Sequence, residues 1–478
     1  MQEDIKNDKS ENLNLFNECP IQEDPSPEIS PTENKETTQN DQKRPFYQRV
    51  FGKMDPGSLR GSIFNLCILS LGTGLLAIPQ KFGYMGLLIS PIIIILCGFA
   101  NRWSLLILID ASIKYKIKSY ETIVKKLFGK YFSIFLSIMM CLNQFVVIIL
   151  YQVILYKLLG GVLNEIGGLG YKSVEEFAEK SFWNNFWVRL SVCYGITVFV
   201  LFPLCQLKNI SKMRYASTFG IISLFFLMII VVAECPFFIK KNIFEEHQTL
   251  NYYNVVPGLQ GDMKFLQSIF TIFYAFSCHV GTFPVLISLT NPTERRQKKV
   301  ISRAIILDIT CYLIIGFSGY LSQPLNTPDL IIERNKIFNN DFLMTIGQIS
   351  FIFTLITKIS ANYNALRACI LFLLGFNLED YPNKINLLIT ILVLICTTMI
   401  TVTFQSISDY LSLLGSFCSV LIVFFIPGLI YIQSNDYSKF HYKNILTAIF
   451  ICIIVILGFT SGLFTINGII NKYNSKAE

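Results

Sequence analysis

The chain has 478 residues, of which 52% are hydrophobic and only 15% charged, and its mean hydropathy is +0.50. Soluble domains carry about 25% charge, so a string of soluble domains is excluded and a chain that crosses the bilayer many times is implied. The formal charge of +8 is small for this length and gives no case for nucleic-acid binding.

Residues 1–55 differ in kind from the rest. They are rich in Glu, Asn, Ser, Pro and Thr and have almost no apolar clusters. Such a composition cannot bury enough surface to fold. We expect a disordered cytosolic tail at 1–55, followed by a transmembrane domain at 56–478. The tail lacks the charged-then-apolar pattern of a cleavable signal peptide, so the first membrane helix is the expected targeting signal. The 13 cysteines show no CxxC and fall mostly in apolar runs, where a thiol behaves as a small hydrophobe.

From Ser58 onward, eleven apolar segments each reach about 20 residues, enough to cross a ~30 Å hydrocarbon core. The predicted spans are 58–79, 84–110, 131–159, 187–207, 214–234, 264–290, 300–322, 342–373, 384–404, 408–432 and 444–466. The expected class is therefore an all-α polytopic membrane protein. Only Phe404, Gln405, Ser406 and Ile407 separate the ninth segment from the tenth.

Charge fixes an expected orientation. With the N-terminus inside, the cytosolic loops hold Lys114, Lys116, Lys118, Lys125, Lys126 and Lys130, and then Arg295, Arg296, Lys298 and Lys299. The opposite loops hold fewer, which is the positive-inside pattern. An odd number of spans then puts the C-terminus on the other side. The sequon at Asn209 and Ser211 faces the cytosol in this arrangement and stays unmodified.

Two segments carry breaks. The first reads Leu71-Gly72-Thr73-Gly74-Leu75-Leu76-Ala77-Ile78-Pro79. Two glycines around a hydroxyl allow the helix to unwind at membrane depth, exposing backbone N–H and C=O groups that can hold a small charged solute. Taken alone, a Gly-x-Gly also suits close packing of helices on small residues. The sixth segment reads Tyr274-Ala275-Phe276-Ser277-Cys278-His279-Val280-Gly281-Thr282-Phe283-Pro284. Segments one and six are the corresponding first helices of two five-helix halves. Interruptions at matching positions point to a transporter built from inverted repeats.

These residues resemble a known family. The run Ser62-Ile63-Phe64-Asn65, with Gly72-Thr73-Gly74, Pro79, Gly83 and Gly86, resembles the first helix of the amino acid/auxin permease family. The run Ala275 to His279, with Pro284 and Asn291-Pro292-Thr293-Glu294-Arg295-Arg296, resembles its sixth helix and the loop after it. The likeness is strongest to the sodium-coupled neutral amino acid transporters. It covers the whole membrane region in helix count and spacing. It implies a LeuT-like bundle, a 5+5 inverted repeat plus one helix.

An α-amino acid presents a carboxylate and an ammonium group. The half-helix starting at the first break offers free N–H groups and a positive dipole end for the carboxylate, which selects Gly72, Thr73 and Gly74. Carbonyls around Phe276 and Ser277 are suited to the ammonium. Asn143, Tyr274 and Asn362 are candidates for the side-chain pocket, and each can equally be an interhelical hydrogen bond.

Lys358 is the sharpest ionisable residue at membrane depth. It lies near the middle of segment eight, nine residues before Arg367 and beside Thr354 and Thr357. In the sodium-coupled relatives, the resemblance implies, this stretch gives a hydroxyl to the sodium site, and Lys358 falls at or next to it. An ammonium there can replace sodium as a fixed counter-charge, or load and release a proton. Those relatives also carry an Asn one turn before the break. Here that turn is Cys67-Ile68-Leu69-Ser70, and Asn65 matches a different position. Both departures argue against sodium. Asp308 is read as a cytosolic-end partner of Arg303, Asp110 and Glu234 as solvated helix ends, and His279 as a neutral ring bonded to backbone.

The expected function is secondary active transport of amino acids by alternating access, proton-coupled or sodium-independent. The alternatives are a sodium-coupled neutral amino acid symporter and a sensor with the same fold. There is no HExxH, no Walker A pattern and no paired carboxylates at membrane depth, so no enzyme is expected. No cofactor or metal is expected either. The expected partners are an amino acid, a proton (or sodium) and the lipid bilayer of a plasma or endolysosomal/vacuolar membrane.

Overall fold

The computed structural model describes residues 57–168, 176–177, 181–206, 214–241, 263–324, 327–334, 342–376, 381–435, 437 and 440–477. The expectations for residues 1–55 and for the Asn209 sequon lie outside them. Among the described residues, ten helices are long and apolar enough to cross a membrane, and eleven spans result when one bent pair counts as a span.

That pair is the first span. It consists of α1 (Leu59–Ser70) and α2 (Thr73–Met85), bent by 56°. The helix runs through Pro79 and stops at Gly86, whose φ of 83° suits a residue without Cβ. The first span is thus longer than predicted, and the second begins later. It is α3 (Ile89–Tyr115), followed by the short surface helix α4 (Tyr120–Phe128) and the third span α5 (Lys130–Ile166). The fourth starts as α6 (Phe186–Ile196) and continues through a π-wound turn to Cys205. The fifth is α7 (Arg214–Ile239).

The second half repeats the opening device. Its first span is again discontinuous, with α8 (Met263–Ala275) and α9 (His279–Ile287) flanking Phe276-Ser277-Cys278. Then follow α10 (Glu294–Ser322), α11 (Phe342–Leu374) and α12 (Asn383–Thr403). The narrow division at Phe404–Ser406 is real. A new helix, α13 (Ile407–Leu413), starts there, its first turn capped by Ser406 Oγ accepting from Asp409 N at 3.4 Å. It continues through a long π-wound stretch, Leu414–Phe425, into Ile426–Ser434. The last span is α14 (Tyr442–Ala477).

The tenth span is the most enclosed, with 78% of its apolar window buried. Widening to a π-type winding loosens backbone pairing, and side chains take up the freed carbonyls. Tyr120 donates to Ile422 O at 2.8 Å and Ser104 donates to Val423 O. Gly415 lies directly on the Phe270 carbonyl, where any Cβ would collide. Around this span, α10 packs on α1, α2, α3 and α7, and α11 packs on α5 and α7. Both breaks therefore sit at mid-depth between α10 on one side and α5 and α11 on the other.

Candidate functional site

The two breaks line one cavity of about 500 Å³, a size suited to a small organic ligand. Gly72, Thr73, Gly74, Tyr274, Ser277, Asn143, Asn362, Lys358, Thr354 and Thr357 all line it. Residues proposed from four separate stretches of sequence are thus brought together.

At the first break, Leu71 still donates to Cys67 O at 2.7 Å, and Gly72 then turns the chain with φ −129° and ψ −142°. Thr73 and Gly74 open α2, so their N–H groups have no helical acceptor. Thr73 Oγ1 is buried, and the group that faces it is the Tyr151 hydroxyl. The Lys358 ammonium lies 3.5 Å from the point where a Cβ on Gly72 would sit, and the Tyr151 hydroxyl 3.7 Å from it. Gly74 backs onto the second break: a Cβ there would meet Ala275 Cβ at 2.7 Å and Cα at 2.9 Å. Glycine is required for this approach of α2 to α8.

At the second break, Tyr312 of α10 reaches across. Its hydroxyl lies 2.5 Å from Ala275 O and 3.1 Å from Ser70 O, the last residues of α8 and α1. The Phe276 carbonyl is already occupied by Asn101 Nδ2 at 2.8 Å, and its buried ring packs edge-on against Tyr312, with centroids 4.7 Å apart. Phe276 therefore holds the break together rather than facing the cavity. Ser277 does face it. Asn65 is also outside the site. It is exposed on α1, while Phe64 and Cys67 line the cavity.

The hydroxyls beside Lys358 turn back on their own helix. Thr354 donates to Ser350 O at 3.0 Å and Thr357 to Thr354 O at 2.9 Å. Asn362 likewise donates to Lys358 O at 2.8 Å, and Asn143 makes only a 3.4 Å contact to Gln144. Lys358 has no ion-pair partner among the described residues.

Three expectations about charged groups are corrected. Asp308 does not pair with Arg303, which is exposed. It is 1% exposed and lies 2.5 Å from Ser70 Oγ, because five helical positions turn two side chains about 140° apart. Glu234 is buried and paired with Arg334, because α7 runs on past it to Ile239. Asp110, by contrast, is exposed and bridged to Lys298 at 2.6 Å. His279 bonds Ser104 Oγ through Nε2 at 2.9 Å, not backbone. Since Ser104 gives its only hydrogen to Val423 O, Nε2 is the donor nitrogen. Tyr151, Asp308 and Tyr312 were not selected for the site from sequence; an intramembrane carboxylate was the one available signal.

A family model described as transmembrane amino acid transporter protein matches residues 55–471. The chain belongs to this family. Among curated relatives, amino acid transporter AVT6E of Arabidopsis thaliana is 25% identical over 280 residues, which cover 58% of this chain and 54% of that one. The putative sodium-coupled neutral amino acid transporter 11 of Danio rerio is 22% identical over 386 residues, 80% of this chain and 81% of the relative. Among solved structures, MhsT in complex with L-phenylalanine superposes with a TM-score of 0.57 at 15% identity, over 86% of this chain and 100% of MhsT. That likeness establishes the LeuT-like fold, with its 5+5 repeat and one added helix.

The cavity is one-sided within this fold. It runs from the breaks toward the end of the bundle where α1 begins, past Phe64, Asn143, Gly220, Pro284 and Ala365. Toward the other end the lining stops at Leu75, Tyr151, Tyr274 and Thr354. Beyond it a polar cluster ties α2 to α13. Lys81, 2% exposed, donates to Gln80 Oε1 at 2.6 Å and Ser408 Oγ at 3.0 Å, while Gln80 donates to Asp329 at 2.5 Å.

Proposed function

We propose that this protein is a secondary active transporter of amino acids, coupled to protons or independent of sodium, and that it works by alternating access around the central cavity. The observation that carries the reading is the Lys358 ammonium beside Gly72, at the mouth of a half-helix whose first N–H groups have no acceptor within the helix. A carboxylate docked on Thr73 and Gly74 meets both a helix N-terminus and a fixed cation. Ser277 offers its carbonyl region to the substrate ammonium, and Tyr274, Asn143 and Asn362 border the substrate side chain.

The one-sided cavity, closed opposite by the Lys81 cluster, supports a carrier caught with access from the side where α1 begins. The distribution of Lys and Arg in the loops supports that side as cytosolic, with the N-terminus there and the C-terminus across the membrane. The reading fits a plasma or an endolysosomal/vacuolar membrane.

The test is uptake of labelled amino acids by the purified full chain in liposomes, with sodium and proton gradients imposed separately. Uptake driven by the proton gradient alone is the expected result. A strict need for sodium would overturn the assignment of Lys358 as a sodium substitute. Binding without uptake under any gradient would favour a sensor.

A further inference from the structure

Span seven carries a carboxyl group at membrane depth that the substrate site leaves unused. Asp308 Oδ2 lies 2.5 Å from Ser70 Oγ, on the last residue of α1. Its Oδ1 is buried away from any nitrogen or oxygen donor, and beyond Ser70 the group bonded to the carboxyl is the Cys67 thiol, a weak donor. Ser70 has one hydroxyl hydrogen but two neighbouring acceptors, Cys67 O at 2.9 Å and Asp308 Oδ2. A hydrogen carried by the carboxyl resolves the conflict: Ser70 gives its own to Cys67 O and accepts one from Asp308.

No cation among the described residues offsets this carboxyl. The titratable groups that face it are Cys67 on α1, Cys278 at the second break, and Cys311 and Tyr312 on its own helix. Charged groups on the packed helices are engaged elsewhere. Arg102 of α3 donates to Ser302 at 2.9 Å, Lys81 of α2 to Gln80 and Ser408, and Glu234 of α7 pairs with Arg334. Lys358 approaches the break from the cavity, at Gly72. An enclosed carboxylate without a counter-charge or a full set of donors is strongly disfavoured. A proton removes that penalty.

We infer that Asp308 is the proton-binding site of this carrier. Its carboxyl takes one proton from water on one side of the membrane and returns it to water on the other. Ser70, Cys67 and Cys311 line the cavity, so the group lies one side chain from water entering there. Without the proton, Cys67 O and a carboxylate compete for the single Ser70 hydrogen, and the last turn of α1 is the element that responds. The inference rests on the transport reading and names the group that would load the coupling ion.

The experiment compares full-length wild type with Asp308→Asn in liposomes, reading both amino-acid exchange without a gradient and uptake under a pH gradient. One pH unit is a tenfold proton ratio, so one-to-one coupling gives about tenfold accumulation in wild type. Asp308→Asn is expected to cut gradient-driven accumulation about tenfold more than it cuts exchange. Equal accumulation by the variant would overturn the inference, as would wild-type uptake driven by sodium alone. A wild type that exchanges nothing removes the transport reading itself, a separate failure. Ser70→Ala keeps the carboxyl and serves if the Asn variant does not assemble. It should shift the midpoint of the uptake–pH curve while keeping gradient drive, and an unshifted midpoint would count against the inference.

Discussion

The Lys358 ammonium lies 3.5 Å from where a side chain on Gly72 would begin, so a cation on the eighth span faces the unwound point of the first. The two are 286 positions apart in sequence and meet at the wall of the central cavity, inside a span where an ionisable residue marks function by default. Lys358→Met keeps the length of the side chain and removes the charge. Uptake should fall at least tenfold or so, as expected for a lost charge-assisted contact of about 1.5–3 kcal/mol. Lys358→Ala should also change the shape of the uptake–pH curve, and an unchanged curve would sink the counter-charge role.

Gly74 and Ala275 bring α2 and α8 into direct contact. Gly74→Val should abolish uptake while the protein still reaches the membrane, read by surface labelling beside transport. Gly74→Ala should be partly rescued by Ala275→Gly, which removes the nearer of the two clashing atoms. Normal uptake by the valine variant would take the first break out of the site.

Tyr312→Phe deletes the hydroxyl shared by Ser70 O and Ala275 O. Leaving buried carbonyls unpaired costs about 1–3 kcal/mol, so thermal unfolding in detergent should move to lower temperature. An unshifted melting curve would mean that water replaces the hydroxyl.

Glu234 and Arg334 form a buried ion pair, with the Arg334 guanidinium 4.0 Å from the centre of the Phe238 ring. Breaking such a pair from one side costs about 3–5 kcal/mol. Glu234→Ala should therefore lower the yield of folded protein in size-exclusion chromatography, whereas Asp110→Ala, on an exposed bridge, should not.

Much of this was legible in the sequence, for local reasons. Span lengths follow from hydropathy, and both breaks announce themselves through Gly and Pro in apolar runs. Lys358 stood out because a charge at mid-span is rare. What stayed hidden depends on which helix faces which. Ser70 and Asp308 are 238 positions apart, and no periodicity links them. Sequence proximity suggests a contact between Asp308 and Arg303, yet the helix turns the two apart. The break frees the Phe276 carbonyl in the sequence reading, but Asn101, on another span, occupies it. Asn65 matches the motif by position, and the twist of α1 carries it out of the cavity.

The hydroxyl of Tyr312 stands between the ends of α1 and α8, within reach of both last carbonyls but with one hydrogen to give. Two levers that share one latch are coupled, because the carbonyl that holds the hydrogen leaves the other without it. In a transporter that works as proposed above, such a shared latch would link the movements of the two halves.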